Sequence, residues 1–141
     1  MKDNLSLDLF VVMSKANRAV TVAVEKKIKS LNINPTEFGI LEVIYHKGTL
    51  PIQQVAEKIL ISSSRISYAI NQLEEKGLIK RIPCQKDKRV IYAALTQAGQ
   101  DFMDSVFEQH TQDIERIFSV LSDEEKKTLI KLNKKLGLSL T

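Results

Sequence analysis

Apolar residues recur at a spacing of three and four over most of the chain, which is the period of an α-helix. Over residues 6–31 the apolar stripe is too wide for a helix that contacts a core on one side, so it predicts burial on two sides. A second helix begins at Asn34, where Pro35 and Glu37 complete a capping-box signature, and it stops at Gly48.

Two shorter helices and a hairpin are predicted next. Pro51 opens the third helix, and the serine run at residues 62–64 caps the fourth, which ends before Gly77. The apolar period then changes: residues 78–83 and 90–95 are typical of two short strands, joined by a polar tip.

Two further helices complete the chain, one capped by Thr96 and one opened by a capping box at Ser122. The length of 141 residues fits one domain of about 100–150 residues, with no linker long enough to separate two. The sequence therefore predicts a single, mainly α domain with a small β-hairpin.

Composition excludes several classes of protein. With 43% hydrophobic and 27% charged residues the chain is neither collagen-like nor low in complexity, and no run approaches the roughly 18 apolar residues of a membrane span. One cysteine and two histidines cannot build a disulfide or a zinc finger within this chain. We expect a cytoplasmic protein with no metal, no cofactor and no membrane contact.

The excess positive charge is concentrated in the hairpin. Residues 80–90 hold five basic side chains against one acid, which equals the whole net charge of +4. Such a focused patch favours a polyanionic partner such as DNA, whereas a lone charge run is often only a solvated loop.

The fourth predicted helix has two different faces. Ile66, Ala69, Ile70 and Leu73 share one face and anchor it to a core. The other face begins without an acid and carries hydroxyl, amide and guanidinium groups, which bind phosphates and read base edges. The candidate DNA-binding residues on this helix are Ser62, Ser63, Ser64, Arg65, Ser67, Tyr68 and Asn71. Alternatively, Ser62 or Ser63 is only the cap and Tyr68 packs against a neighbouring helix.

Three segments carry a resemblance to a known family: Leu-Glu-Glu-Lys-Gly-Leu-Ile-Lys-Arg at 73–81, Asp-Lys-Arg at 87–89 and Leu-Thr-Gln-Ala-Gly at 95–99. Their order and spacing resemble the MarR family of bacterial transcription regulators, over essentially the whole chain. The resemblance implies a winged helix-turn-helix lobe at 35–95 and dimerisation helices at 1–31 and 97–141. It also implies a homodimer on double-stranded DNA with a pseudo-palindromic operator.

In this family a recognition helix enters the major groove and an arginine of the wing reaches the minor groove. By position Arg89 matches that arginine and Asp87 the acid that orients it, with Lys86 and Lys88 beside them. An aspartate two residues before an arginine on a strand points to the same side, so it can hold the guanidinium. The alternative is a charged turn residue without a role.

The resemblance also implies a small-molecule effector, because many members bind aromatic acids or phenols in a cleft beside the dimer interface. Phe10, Met13, Asn17, Phe38 and Tyr45 are candidates for such a cleft, and plain core is the alternative.

Cys84 is a candidate redox sensor because the cationic neighbours Arg81 and Lys86 favour a thiolate; the alternative is an incidental surface thiol. The first helix has no cysteine, unlike the best-known sensor arrangement of the family.

Two functional hypotheses follow. The first is a dimeric, sequence-specific DNA-binding repressor released by a small phenolic, quinone-like or other electrophilic compound. The second is a winged-helix interaction module that binds a protein partner, for which a wing without net positive charge would be typical. An enzyme is not expected, because the sequence offers no nucleophile–base pair, no phosphate-binding glycine loop and no paired carboxylates in an apolar setting.

Overall fold

The computed structural model describes residues 3–59 and 63–141, with Ser63 and Ser64 as helical backbone. Over these residues the chain forms six helices and three strands. The order is α1 (Leu5–Lys29), α2 (Pro35–Lys47), β1 (Leu50–Pro51), α3 (Ile52–Ile59), α4 (Ser63–Glu75), β2 (Ile79–Pro83), β3 (Ile91–Leu95), α5 (Gln97–Ile117) and α6 (Asp123–Ser139). The predicted fold class, mainly α with a small β wing, is confirmed.

The helix caps predicted at Asn34, Thr96 and Ser122 are present. The cap predicted for α4 in the serine run at 62–64 falls on side chains outside the described part of the chain and stays a prediction. At α2 the backbone N–H of Glu37 donates to Asn34 Oδ1 at 2.8 Å, and the Glu37 carboxylate accepts from the Asn34 N–H at 3.1 Å. Thr96 accepts from the Gly99 N–H at 3.0 Å and donates to the Gly77 carbonyl at 2.5 Å. Thr96 therefore joins the start of α5 to the turn that follows α4, which fixes the base of the wing.

The sheet has one strand more than the predicted hairpin. Its order is β1-β3-β2, antiparallel throughout, with Leu50 opposite Ala93 and Arg81 opposite Ala93 on the other side. The prediction that Pro51 opens α3 was wrong, because Pro51 belongs to β1 and the helix begins at Ile52. Proline lacks an N–H, and β1 is an edge strand, where that loss is tolerated.

The core lies between α2, α3, α4 and the sheet, and Met103 of α5 extends it. The predicted anchoring face of α4 is buried, with Ile66, Ile70 and Leu73 at most 1% exposed. Glu37 is only 3% exposed, and its carboxylate meets Lys76 Nζ at 3.0 Å. This ion pair ties the start of α2 to the end of α4, as a buried charge requires.

Gly99, the last residue of the family-like segments, allows a close approach between α5 and the sheet. A Cβ at this position would overlap the backbone carbonyl oxygen of Leu78. The absence of a side chain therefore sets how closely α5 packs against the start of β2.

Much of the apolar surface of α1 and α6 is uncovered within one chain. Phe10 is 70% exposed and Ile28 is the buried residue of α1, so the two-sided burial predicted for this helix is not reached in the protomer. Among the described residues, no helix is both long and apolar enough to cross a membrane.

Candidate nucleic-acid interface

The outer face of α4 carries the predicted polar residues. Arg65, Ser67, Tyr68 and Asn71 are exposed, while Ile66 and Ile70 between them point into the core. Tyr68 is 65% exposed, so it does not pack into the protomer. Ser62 lies outside the described residues, and the roles proposed for the hydroxyls of Ser63 and Ser64 stay predictions.

Asp87 and Arg89 make the predicted contact at the wing tip. Asp87 Oδ1 accepts from Arg89 Nε at 3.2 Å, and Oδ2 accepts from a terminal guanidinium nitrogen at 3.3 Å. The reason given from sequence was wrong, because residues 84–90 form a turn rather than a strand. The Arg89 backbone N–H also donates to Asp87 Oδ1 at 3.0 Å, so a local side-chain turn creates the pair.

The pairing fixes the ionisation of Asp87. Hydrogen bonds from the Arg89 side chain, and then from its backbone N–H, hold the pKa of the Asp87 carboxyl below its usual range. The Arg89 side chain nevertheless remains 90% exposed. A charged, oriented guanidinium is thus presented to the surroundings of the wing.

The helix and the wing share one groove. Ser67 of α4, Arg81 of β2 and Arg89 of the wing line a groove of about 1000 Å³, whose other wall includes Gln53 and Gln54 of α3. Residues from α4 and the wing, which the sequence could only list separately, are therefore brought to one surface. Lys86 and Lys88 are exposed on the wing turn.

Arg65 and Tyr68 lie on the other side of α4. They line a smaller groove of about 280 Å³ together with Asn34 and Thr36 at the start of α2. Ser67, on one side, and Arg65 with Tyr68, on the other, thus occupy two adjacent surfaces of α4, one facing the wing and one facing α2.

Sequence reasoning missed a hydrogen-bond network between α4 and β2. Arg81 donates from one terminal nitrogen to Asn71 Oδ1 at 2.7 Å and from the other to Glu74. Glu74 therefore offsets one of the five charges counted in the basic segment. The sequence signal for this network is weak, because it consists only of the place of Arg81 at a half-buried position of β2. Which residues Arg81 contacts is visible only once β2 is packed against α4.

The five residues predicted for a ligand cleft lie in different environments. Phe38 is 2% exposed and its ring lies 4.7 Å from that of His110, which matches the core alternative, whereas Phe10 is exposed. Met13 is half-buried and Asn17 exposed on α1. Tyr45 donates to Asp104 Oδ1 at 2.7 Å, and this hydrogen bond raises the pKa of the Tyr45 phenol.

A cavity of about 390 Å³ does lie between α1 and α5, lined by residues such as Ile28, His110 and Asp113. None of the five predicted cleft residues lines it. A ligand cleft built from them stays a prediction.

Cys84 is a free, half-buried thiol whose backbone N–H donates to the Val90 carbonyl at 3.0 Å. It lies at the junction of β2 and the wing turn, so its sensing role and its alternative as an incidental thiol both stay open. In the described part of the chain, no group of three or more His, Cys, Asp or Glu side chains is placed to hold a metal ion.

Comparison with known proteins gives the family. The MarR family model matches residues 33–91. The chain is 40% identical to the HTH-type transcriptional regulator MhqR of Bacillus subtilis (strain 168) over 134 residues, covering 95% of this chain and 92% of that protein.

Two solved structures share the fold. Sco3205 of Streptomyces coelicolor, a MarR family transcriptional regulator in complex with DNA, has a TM-score of 0.90 at 20% identity and covers 100% of this chain and 94% of its own. Bordetella bronchiseptica BpsR, whose DNA binding is regulated by 6-hydroxynicotinic acid, has a TM-score of 0.85 at 16% identity, covering 97% and 98%.

The regulators similar in sequence over nearly the full length are not enzymes, which agrees with the expectation from sequence. The structural neighbours share the fold over nearly the whole of this chain. The chain therefore belongs to the MarR family of DNA-binding transcriptional regulators.

Proposed function

We propose that the protein is a homodimeric repressor that binds a pseudo-palindromic operator and is released by a small phenolic, quinone-like or other electrophilic compound. The observation that supports this best is the groove that Ser67 of α4 and Arg89 of the wing line together. It gives one protomer a helix and an oriented arginine on the same surface.

The geometry fits a duplex. The major groove, about 12 Å wide, admits an α-helix, and α4 offers it an exposed polar face. The wing then lies over the neighbouring minor groove, where the guanidinium held by Asp87 enters. Lys86 and Lys88 contact phosphates, which adds affinity without sequence preference.

The exposed apolar faces support the dimer. On α1 the exposed large apolar residues are Leu5, Leu7, Leu9, Phe10, Val11, Val12 and Val22, and on α6 they are Leu129, Ile130, Leu132, Leu136 and Leu138. So many exposed large apolar residues on two helices are uncommon on a monomer, and a two-fold copy would cover them. Two-fold symmetry of the protein then requires a near-palindromic site on the DNA.

Release by a small compound follows from a population shift. The dimer has arrangements of its two DNA-binding lobes that fit the operator and others that do not. A ligand that binds the second kind more tightly lowers operator affinity by at most the ratio of its affinities for the two. BpsR is a structural neighbour whose DNA binding a hydroxylated aromatic acid regulates. The cleft residues Phe10, Met13, Asn17 and Tyr45 and the thiol Cys84 are the candidate points of action. A repressor of chromosomal genes acts in the cytoplasm, which is the expected location.

Selection of bound duplexes from random DNA tests the proposal, combined with light scattering of the free protein. We expect a two-fold symmetric consensus and a mass of about twice the 16.0 kDa chain. Purified dimer on the selected site is then titrated with a phenol and with a quinone, and we expect at least one to release the DNA. Binding without sequence preference would contradict operator recognition and favour the protein-interaction module.

A further inference from the structure

The network around Arg81 restricts what Asn71 can offer to DNA. The guanidinium of Arg81 reaches Asn71 from one nitrogen, at 2.7 Å, and Glu74 from another. Because a guanidinium has only donors, the atom of the Asn71 amide that faces it must be the oxygen. The amide of Asn71 is thereby fixed in one of its two possible orientations.

The remaining polar atom of Asn71 is its amide nitrogen, which is a donor only. Asn71 is exposed and lies one helical turn after Ser67, on the same face of α4. Both Ser67 and Arg81 line the groove between α4 and the wing. The amide nitrogen of Asn71 is therefore at the edge of the surface that would meet the major groove.

Glu74 strengthens this arrangement because it holds the other arm of the guanidinium. Arg81 and Glu74 have side chains exposed by only 28% and 35%, so the pair is partly shielded by α4 and β2. Arg81 is thus a positioning residue whose charge is already compensated, in contrast to the exposed Lys86 and Lys88 of the wing turn.

We propose that Arg81 makes Asn71 a donor-only reader of the operator, so that Asn71 selects guanine or thymine rather than adenine. An asparagine that binds adenine needs its oxygen for the N6 amino group and its nitrogen for N7. Here the Asn71 oxygen faces Arg81 rather than the base, and the outward nitrogen donates to O6 and N7 of guanine or to O4 of thymine. Adenine offers that nitrogen only N7, beside an N6 amino group that is itself a donor. This inference rests on the proposed operator binding through α4.

Selection from random DNA with six proteins tests it: the parent chain, Asn71→Ala, Asn71→Asp, Arg81→Met, Lys80→Met and Gln72→Glu. In the parent we expect guanine or thymine at one symmetric pair of positions. Asn71→Ala should flatten the preference at that pair. Relative to its affinity for the same site with that base pair replaced, its affinity for the selected site should fall roughly five- to 150-fold.

The other two α4–β2 variants should change the base that is chosen. Asn71→Asp keeps an oxygen for Arg81 and turns the outer nitrogen into an acceptor, so the preference should move to cytosine, whose N4 amino group donates. Arg81→Met releases the Asn71 oxygen, and adenine should become acceptable at the same pair. Arg81→Leu, which likewise has no donor for the Asn71 oxygen, repeats this test if the methionine variant does not fold.

Two controls separate charge from hydrogen bonding. Lys80→Met removes a charge from the next residue of β2, whose side chain points to the opposite face of the sheet, and it should leave the consensus unchanged. Gln72→Glu adds the charge that Asn71→Asp adds, one residue along α4, and it should not create a preference for cytosine at that pair.

The result that overturns the inference is adenine in the parent at the pair that Asn71→Ala flattens. An Asn71→Ala consensus identical to that of the parent overturns it equally, because Asn71 would then read no base. A parent chain that selects no consensus overturns the proposed function as well, which distinguishes the two failures.

Discussion

The charge of the wing turn should be measurable as counterion release. Lys86 and Lys88 are exposed, whereas Arg81 is half-buried and paired with Glu74. Each phosphate that a cationic side chain neutralises on duplex DNA adds about 0.9 to the slope of log affinity against log salt. With two lysines in each subunit of a dimer, the double variant Lys86→Ala/Lys88→Ala should have a slope shallower by up to about 3.6 units.

The shallower slope has a direct consequence for affinity. When salt doubles from about 0.1 to 0.2 M, the parent should lose about twelvefold more affinity than the double variant. Fluorescence anisotropy of a labelled operator, and of an unrelated duplex of the same length, measures both slopes. The reduction should be similar on the two duplexes, because phosphates carry no sequence information.

Arg81→Met is the informative comparison, because Arg81 is one of the five basic residues of segment 80–90, to which Lys86 and Lys88 also belong. Its charge is compensated by Glu74, so the slope should change little even where affinity falls. Lys131→Ala on α6 removes an exposed charge far along the chain from the wing and serves as the matched control. Equal slopes for the parent and the double lysine variant would refute the reasoning and make the wing turn a solvated loop.

Three further predictions concern the frame and the wing pair. Thr96→Ala should lower the free energy of unfolding by about 1–2 kcal/mol in urea denaturation, since it removes a helix cap and a hydrogen bond, and Thr96→Ser should restore most of it. Gly99→Ala should lower the free energy of unfolding by about 1–3 kcal/mol, because its Cβ overlaps a backbone oxygen. Gly137→Ala on α6, where nothing lies within 4 Å of the added Cβ, should raise it by about 0.5–1 kcal/mol. Equal effects of the two substitutions would contradict the close approach at Gly99. Carbonyl NMR should show that the Asp87 carboxyl titrates below the ordinary aspartate range. Its ion pair with Arg89 therefore persists at neutral pH and disappears only as pH falls through that lowered pKa. Arg89→Ala should raise the pKa of Asp87 again, and an unchanged midpoint would refute the pairing.

Features governed by near neighbours in the chain were predictable from sequence. The capping box at Asn34 and the Thr96 cap depend on residues within four positions of each other, so the local sequence alone locates them. The change of period after Gly77 likewise located β2 and β3. By contrast, β1 has two residues, too few to show any period, and its pairing with β3 depends on the whole lobe.

The candidate site was predictable as a set of residues and not as an arrangement. Asp87 and Arg89 were paired correctly through the resemblance, but the contact arises from a local turn rather than from strand alternation. The network of Asn71, Glu74 and Arg81 joins a helix to a strand, so it depends on the angle between them. Sequence spacing carries no information on that angle.

In the proposed operator complex, the arrangement of charges separates affinity from specificity along the wing. Arg81 and Arg89 are each held by a carboxylate, Glu74 and Asp87, in contacts that use the fork of the guanidinium. An arginine that is held in this way can orient an amide or enter a narrow groove with a defined direction, but it adds less net charge. The exposed lysines are compact point charges on flexible stems, which suit phosphates at any sequence. Replacing Arg89 by lysine should therefore leave binding to unrelated DNA nearly unchanged while it weakens binding to the selected site, and an equal loss on both duplexes would show that Arg89 contacts only the backbone.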